Sequence, residues 1–358
     1  MARHPYASLP PHCFWRDAVA APAFQDVDPV VEAKFTISAA DKVATAGSCF
    51  AQHIARHLAN SGFHYLVTEA AHPLVKSADT GRFGYGVFTA RYGNVYTTRQ
   101  LLQLLQRAYG LFVGEEAPWR TGEGRYLDPF RPRIQPGGFH SREELDADRA
   151  HHFSCVRKAI ETMDVLVFTL GLTETWAARA DGAAFPLCPG VAGGEFDESR
   201  YAFVNLTVAE VVADLEAVLQ LIKSRNPSAK VMLTVSPVAL VATATRRSVL
   251  AATAYSKAVL RVAAEQIANA HLHVAYFPSF EVITGNHARG RYFDETLREV
   301  TPEGVAHVMR LFMRHYARVE NAPPPRIDEV ERYKEVAQAV EREAAVLCDE
   351  VALDARNA

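Results

Sequence analysis

The chain has 358 residues, of which 49% are hydrophobic and 22% are charged, a composition typical of a soluble globular protein with a sizeable core. Its formal net charge of −3 gives no reason to expect nucleic acid or a membrane surface as a partner. No segment resembles a signal peptide or a membrane span, and the 5 cysteines are odd in number and lack metal-ligand spacing, so we expect a cytoplasmic protein with reduced thiols and no metal.

Residues 1–40 are predicted to form an N-terminal arm, because they are rich in proline and aromatic residues and show no regular period. From residue 41 to about 320, short apolar runs alternate with longer helical patterns. The predicted strands are 43–46, 64–68, 165–170, 231–235 and 273–277, and the predicted helices lie near 50–61, 98–108, 141–162, 206–224, 248–270 and 302–318. This alternation predicts an α/β three-layer sandwich with a mainly parallel central sheet.

Two insertions interrupt this pattern and a tail follows it. Residues 109–140 and 176–204 are irregular and rich in glycine, proline and aromatic residues, and loops this long commonly shape a binding cleft. Their aromatic side chains are suited to stacking on a sugar or an adenine ring. Residues 321–358 are predicted to form a proline-rich linker and an amphipathic helix, which either packs back or mediates formation of a homo-oligomer.

The most informative motif is Gly47-Ser48-Cys49, which lies between a predicted strand and the start of a predicted helix. At such a junction the free N–H groups and the dipole of the helix stabilise an anion. A thiol there is expected to have a lowered pKa and to be partly thiolate at neutral pH. Cys49 is therefore a candidate nucleophile with Ser48 as a neighbouring hydroxyl. A small apolar residue that packs the helix against the sheet would give the same local pattern.

Three further segments place polar residues where predicted strands end, which is where α/β sheets form their sites. Residues 92–96 contain Gly93, which permits close backbone approach, and Asn94, which can form hydrogen bonds. Residues 171–176 follow the most apolar strand, and residues 234–238 end another. Each segment has a structural alternative: a glycine turn, a helix cap or a strand terminator. Their occurrence together with the cysteine motif indicates a site at this edge of the sheet.

These motifs resemble the GSCFA family, whose name residues 47–51 spell out and whose members look like relatives of the SGNH/GDSL hydrolases. The supporting motifs span about residues 40–315 in the family's order. They are Gly93-Asn94-Val95-Tyr96, Val167-Phe168-Thr169-Leu170-Gly171, Leu233-Thr234-Val235-Ser236-Pro237-Val238, Tyr255-Ser256-Lys257 and Tyr276-Phe277-Pro278-Ser279-Phe280-Glu281. The resemblance implies an SGNH hydrolase-like, flavodoxin-like domain over residues 41–320.

The resemblance also implies roles for single residues. Aligned with the Gly-Asp-Ser motif of SGNH enzymes, Cys49, and not Ser48, takes the nucleophile position. Gly93 matches the oxyanion glycine of the second block, and Asn94 follows it. Thr173 stands where the third block has an asparagine. The implied oxyanion hole combines two backbone N–H groups with the Thr173 hydroxyl, and in other enzymes one such donor is worth roughly 3–4 kcal/mol.

The resemblance breaks at the general base. SGNH enzymes carry Asp-x-x-His before the last helix, whereas alignment through Pro302 places Arg298 and Thr301 at those positions. One alternative is that catalysis has been lost. Otherwise three nearby groups remain open as the base, and the last of them lies one helical turn after the cysteine. They are the carboxylate of Glu299 and the imidazoles of His287 and His53.

Two functions follow from these observations. The first is an acyl-transfer enzyme, an esterase or an O-acyltransferase, that acts on a small-molecule or carbohydrate ester or on a polysaccharide precursor. It would require no cofactor, with acetyl-CoA as a candidate acyl donor. The second is a non-catalytic protein that uses the same cleft to bind a glycan or a partner. A weaker third hypothesis is redox sensing at Cys49.

Overall fold

The computed structural model describes residues 4–75 and 80–318, with the backbone alone at Cys49 and Arg318. The predicted linker and helix of residues 321–358 lie outside these described residues. In the described part, no helix combines the length and the apolar character that crossing a membrane requires.

The described residues form eleven strands and seven α-helices. The strands are β1 (Ile37–Ser38), β2 (Val43–Ala46), β3 (Trp119–Arg120), β4 (Tyr126–Leu127), β5 (Val165–Leu170), β6 (Glu174–Ala178), β7 (Ala184–Phe185), β8 (Tyr201–Asn205), β9 (Lys230–Val235), β10 (Val274–Tyr276) and β11 (Ala317–Arg318). The helices are α1 (Cys49–Asn60), α2 (Thr98–Ala108), α3 (Arg142–Thr162), α4 (Val208–Arg225), α5 (Val249–Ala270), α6 (Ser279–Thr284) and α7 (Pro302–Tyr316).

The central sheet has four parallel strands in the order β10-β9-β5-β2. The predicted strand 64–68 is reduced to one parallel bridge, in which Tyr65 pairs with Val43 beyond the edge of β2. Counting Tyr65 as the second strand position gives the doubly wound order 2-1-3-4-5. The prediction of an α/β fold with a mainly parallel central sheet is confirmed.

Helices cover both faces of this sheet, because alternate residues of each strand point to opposite sides. Val165 and Val167 pack into a core with α1, α6 and α7. Leu166 and Phe168 pack into a second core with α2, α3, α4 and α5. All four side chains are buried, which explains why the strand reads as a continuous apolar run.

The second predicted insertion contains a small antiparallel sheet, and residues 186–200 between two of its strands form no helix or strand. In this insertion sheet, β6 pairs with both β7 and β8. The rings of Trp176 and Phe203 lie 5.6 Å apart across it. Because β6 and β8 are distant in sequence, their pairing leaves no local pattern. The first insertion contains a shorter antiparallel pair, β3 with β4.

Residues 24–28 of the N-terminal arm pack against α7 and the loop before it. Asp28 accepts hydrogen bonds from Arg314 Nη1 at 3.1 Å and from His315 Nε2 at 2.7 Å. The ring of Phe24 lies 5.7 Å from that of Tyr292. β1, near the end of the arm, pairs in parallel with β11. The arm is therefore tied to the end of the domain, and it also contacts the central sheet, because the Phe35 ring lies 5.3 Å from Lys230 Nζ of β9.

Candidate functional site

The turn between β2 and α1 has a backbone that favours glycine. Gly47 has a φ of +145°, and a Cβ there would lie 2.8 Å from the Cβ and the carbonyl oxygen of Thr169 and 3.0 Å from the Cβ of Ala51. Helix α1 then begins at Cys49, with Ser48 as its extended N-cap. Within the described residues the Ser48 side chain makes no capping hydrogen bond, so it does not occupy the first N–H groups of the helix.

This turn lies at the topological switch point of the sheet. β2 and β5 are neighbouring strands of the sheet. Helix α1, which follows β2, packs on one face of the sheet, whereas α4, which comes after β5, packs on the opposite face. Val95 N–H donates to the Gly47 carbonyl at 2.8 Å. One residue after Val95, the carbonyl of Tyr96 accepts hydrogen bonds from Gly171 N at 3.1 Å and from Leu172 N at 2.9 Å. The structure therefore brings together three of the predicted segments, which we call the switch-point segments.

Gly93 and Asn94 form the turn of the middle switch-point segment. Gly93 has a φ of +70°, in the left-handed region that glycine adopts readily. Its N–H has no acceptor among the residues that the structure describes. Asn94 is buried, with 5% of its surface exposed. A backbone N–H without a partner beside the cysteine turn is the kind of donor that stabilises an oxyanion.

Behind this segment lies a buried set of ion pairs, which we call the ion network. Its members are Glu69, Arg91, Asp128, Arg131 and Asp148. Arg131 contacts Asp128 at 2.9 Å and Asp148 at 2.8 Å, and Arg91 contacts Asp148 at 2.7 Å. Burial alone would raise the pKa of Glu69, but hydrogen bonds and the charge of Arg131 lower it to about 2. The network therefore holds ionised groups and anchors the chain just before Gly93.

Thr173, the predicted oxyanion donor, has all of its polar groups engaged. Its N–H donates to Ser256 Oγ at 3.0 Å, and its hydroxyl donates to Asn205 Oδ1 at 2.6 Å. Its carbonyl accepts from Leu206 N at 2.9 Å. The hydroxyl proton therefore points to Asn205, and the predicted role of Thr173 requires that hydrogen bond to break.

Two neighbouring residues of α5 clamp the segment after β5, and sequence reasoning assigned neither a role. Ser256 accepts the Thr173 N–H, and Lys257 Nζ donates to the Gly171 carbonyl at 2.7 Å. Lys257 is 3% exposed, and burial, with the charge of Arg298, lowers its pKa to about 7. Both residues belong to the Tyr255-Ser256-Lys257 motif, but no spacing in the sequence connects that motif to β5.

His53 is the candidate base on the same helix as Cys49. Its side chain is buried, its ring centroid lies 6.0 Å from that of Phe50, and no partner of its Nδ1 occurs in the described part of the chain. Burial, with the charges of His57 and Arg56, lowers its pKa to about 3. The imidazole is therefore neutral at physiological pH and has a nitrogen available as an acceptor.

The other two candidate bases have different surroundings. His287 is half-buried, and its ring centroid lies 6.5 Å from those of Tyr292 and His307. Burial lowers its pKa. Glu299 is exposed and forms an ion pair with Arg298. Among the described contacts, none joins His287 or Glu299 to the switch-point segments.

The switch-point segments can stabilise negative charge that develops at one atom. They offer the N-terminus of α1, the unpaired Gly93 N–H and a neutral imidazole on the same helix as the cysteine. The residues that the structure describes contain no group of three or more His, Cys, Asp or Glu side chains that could hold a metal ion. The arrangement is one that nucleophilic catalysis uses.

Comparison with known proteins gives a family. No curated protein matches the chain. Residues 42–312, which are more than half of the 358, match the model of the GSCFA family. The glycine turn, the Gly93 segment, the ion network and the α5 clamp all lie within that range. By this match, the chain belongs to the GSCFA family.

Proposed function

We propose that this protein is an SGNH-like acyl-transfer enzyme, an esterase or an O-acyltransferase, with Cys49 as its nucleophile. The observation that carries the proposal is the position of the Gly47 turn, at the sheet's switch point and hydrogen-bonded to the segment that presents the Gly93 N–H. A helix N-terminus and an unpaired backbone donor there favour both a thiolate and an oxyanion.

The proposed reaction has two steps. The Cys49 thiol transfers its proton to a base, the sulfur attacks the acyl carbonyl carbon, and the N–H groups of Cys49 and Gly93 bind the resulting oxyanion. Collapse of this intermediate breaks the bond to the leaving alcohol or thiol, which takes the proton from the base. Water or an acceptor hydroxyl then gives its proton to the base and attacks the thioester, and the released thiolate recovers that proton.

Of the three candidate bases, His53 is favoured. It is neutral and buried, and it lies one helical turn from Cys49 on α1. Its pKa of about 3 makes it a weak base, so the proposal requires that the thiolate or oxyanion formed beside it raise that pKa during the reaction. Glu299 is exposed and paired with Arg298, and His287 packs against Tyr292. The acetyl-CoA donor and the carbohydrate acceptor remain predictions.

The first test is the pH dependence of iodoacetamide labelling, read by peptide mass spectrometry. Cys49 should react with an apparent pKa well below the free thiol's roughly 8.5. Cys155 and Cys188 are internal controls, because burial raises the pKa of both thiols, and exposed Cys13 controls for accessibility. Labelling of Cys49 no faster than that of Cys188 would contradict an activated nucleophile.

The second test is turnover of p-nitrophenyl acetate and of acetyl-CoA. Cys49→Ala should lower the rate at least about a thousandfold, as loss of a nucleophile does in other enzymes. Cys13→Ala, at an exposed cysteine of the N-terminal arm, is the matched control and should leave turnover unchanged. Activity retained in Cys49→Ala would refute the mechanism.

One observation favours a second function, a non-catalytic binding protein on the same scaffold. The Thr173 hydroxyl is engaged by Asn205, and Arg298 and Thr301 occupy the positions of the usual Asp and His. This function predicts an unreactive Cys49 and ligand binding that Cys49→Ala leaves intact. Fast labelling of Cys49 together with turnover would rule it out.

A further inference from the structure

A cavity of about 290 Å³ opens beside the switch-point segments. Its lining includes Tyr96 and Leu172, which are joined by the hydrogen bond from Leu172 N to the Tyr96 carbonyl. The insertion sheet forms one wall, and the loop after β9 forms another. The cavity therefore borders two of the switch-point segments, and the residue before Tyr96, Val95, donates its N–H to the carbonyl of Gly47 in the third.

The walls of this cavity are apolar. Aliphatic side chains such as Leu187 and Leu240 face aromatic ones such as Trp176 and Phe203. Within the described lining there is no Lys, Arg, His, Asn, Gln or Asp side chain. A phosphate needs cations and a sugar needs several hydrogen-bonding groups, so this lining suits neither.

Three polar side chains of the lining, Glu174, Thr175 and Thr243, already form hydrogen bonds with the protein, and the Cys188 thiol is uncharged. Glu174 accepts hydrogen bonds from Thr243 Oγ1 at 2.6 Å and from Ala244 N at 3.3 Å, one on each carboxylate oxygen. The Thr175 hydroxyl donates to a backbone carbonyl at 2.9 Å. Burial raises the pKa of Cys188 to about 11, so its thiol is uncharged and adds soft apolar surface.

We propose that this cavity binds the apolar acyl chain of the substrate, so that the substrate class is medium-chain acyl esters or thioesters and not acetyl esters alone. The proposal rests on the proposed acyl-transfer function. The cavity's volume of about 290 Å³ accommodates roughly ten non-hydrogen atoms, because a water molecule in the liquid occupies about 30 Å³. A chain seated there would place its carbonyl carbon at the Tyr96 and Leu172 end, toward Gly47.

The test uses unreactive neutral probes, butanamide, hexanamide and octanamide, titrated by calorimetry and by tryptophan emission. Each added methylene should raise the affinity about fourfold, because it buries more apolar surface. Trp176 lines the cavity, so its emission should change on binding, and Trp176→Phe should remove that signal but retain the heat.

Cavity-filling variants locate the binding. Ala242→Leu, inside the cavity, should weaken octanamide binding at least tenfold, and Ala147→Leu on the exposed face of α3 is the matched control. Val191→Phe at the half-buried rim repeats the test if Ala242→Leu does not fold. Equal affinity for all three amides, or no loss in either folded variant, would overturn the proposal. A second result would also overturn the proposal: binding of butyltrimethylammonium and not of octanamide, with that binding lost in Glu174→Gln. It would make the cavity a site for organic cations.

Turnover of p-nitrophenyl acetate, butyrate and octanoate separates this inference from the function on which it rests. Octanamide binding without turnover of any ester would refute acyl transfer but support an apolar ligand site. Turnover of the acetate with no preference for longer chains and no octanamide binding would refute the acyl-chain cavity but support acyl transfer. A rate that rises with chain length and falls selectively for octanoate in Ala242→Leu is the result we expect.

Discussion

Two buried polar regions adjoin residues 91–96, the ion network at Arg91 and the switch-point side at Tyr96, and they hold their titratable groups in opposite states of charge. In the ion network, Asp128 and Arg131 are ionised and contact each other at 2.9 Å. On the switch-point side, Lys257 and His53 have no carboxylate partner in the described part of the chain, and burial lowers the pKa of both. Full burial of a charge is tolerated only with a counter-charge, which the first region supplies internally.

The difference matters for the proposed chemistry. An oxyanion or thiolate formed near the switch-point segments would supply the negative counter-charge that Lys257 and His53 do not have. It would therefore favour their protonated forms and raise the pKa of each. The ion network already contains both acidic and basic side chains. We therefore expect it to fix the position of the Gly93 segment and not to change its protonation during turnover. The predictions below test this division, from the largest expected effect on the free energy of unfolding to the smallest.

The largest effect should come from breaking the ion network. Arg131→Met removes one of the two arginine partners of Asp128 and one of the two of Asp148, and leaves only Arg149 and Arg91 to compensate these carboxylates, at a cost of about 3–5 kcal/mol. Arg142→Met is the control, because it breaks a solvent-exposed pair with Asp146 and should change stability by about 0.5 kcal/mol or less. Urea unfolding at pH 7 measures both. Equal small losses would mean that the network does not anchor the fold.

A smaller effect is expected at the cysteine turn. Gly47→Ala places a Cβ 2.8 Å from the Thr169 carbonyl oxygen at a φ of +145°, and strain plus overpacking should cost on the order of 3 kcal/mol. Gly62→Ala is the control. Gly62 has a φ of +80°, and a Cβ there would have no atom within 4 Å, so this variant should lose only the about 1–2 kcal/mol of backbone strain. A comparable loss in the two variants would show that contact with β5 does not constrain the turn.

Much of this division between regions was invisible in the sequence. Strands such as 43–46 and 165–170 were predicted with their observed bounds, because burial on both faces produces a continuous apolar run. Helix 98–108 was predicted correctly too, and the structure shows a capping box formed by Thr97 and Gln100 at its start. Local patterns of this kind act over a few residues, and sequence reasoning reads them well.

The parts of the site that sequence reasoning missed depend on contacts between distant residues. The Lys257 to Gly171 hydrogen bond spans 86 positions, and the Thr173 to Asn205 bond spans 32. The insertion sheet, which walls the acyl-chain cavity, likewise pairs strands that are far apart in the chain. Such pairings depend on the folded topology and leave no periodic signal, whereas Gly47 could be singled out because it stands in a turn between a predicted strand and a predicted helix, which is a local pattern.

Because His53 on the switch-point side is held uncharged, the free energy of unfolding should fall as the pH is lowered. Because the pKa of His53 is about 3 in the folded protein and 6.5 in an unperturbed histidine, the unfolded chain binds the proton first as pH falls. His53 therefore contributes stability that is fully present above pH 6.5 and is lost toward pH 3. At pH 4.5 the loss should be roughly 2–3 kcal/mol, and His53→Leu should remove that part of the acid dependence. An unchanged pH profile in His53→Leu would place the acid sensitivity elsewhere.

The smallest effect at pH 7, and the most specific, is expected at Lys257. Its folded pKa of about 7 lies below the ordinary lysine value of 10.5, so between these values the unfolded chain binds the proton and the folded protein does not. Stability should therefore rise from pH 7 to pH 9 in the wild type. In Lys257→Met this rise should disappear, while the exposed-site variant Lys158→Met keeps it. At pH 7 itself the loss of the hydrogen bond to Gly171 should cost only about 1 kcal/mol, offset by removal of a buried amine. Thermal unfolding from pH 6 to pH 9 measures all three proteins, and a rise that survives in Lys257→Met would mean that this lysine is not held in its uncharged form at the switch point.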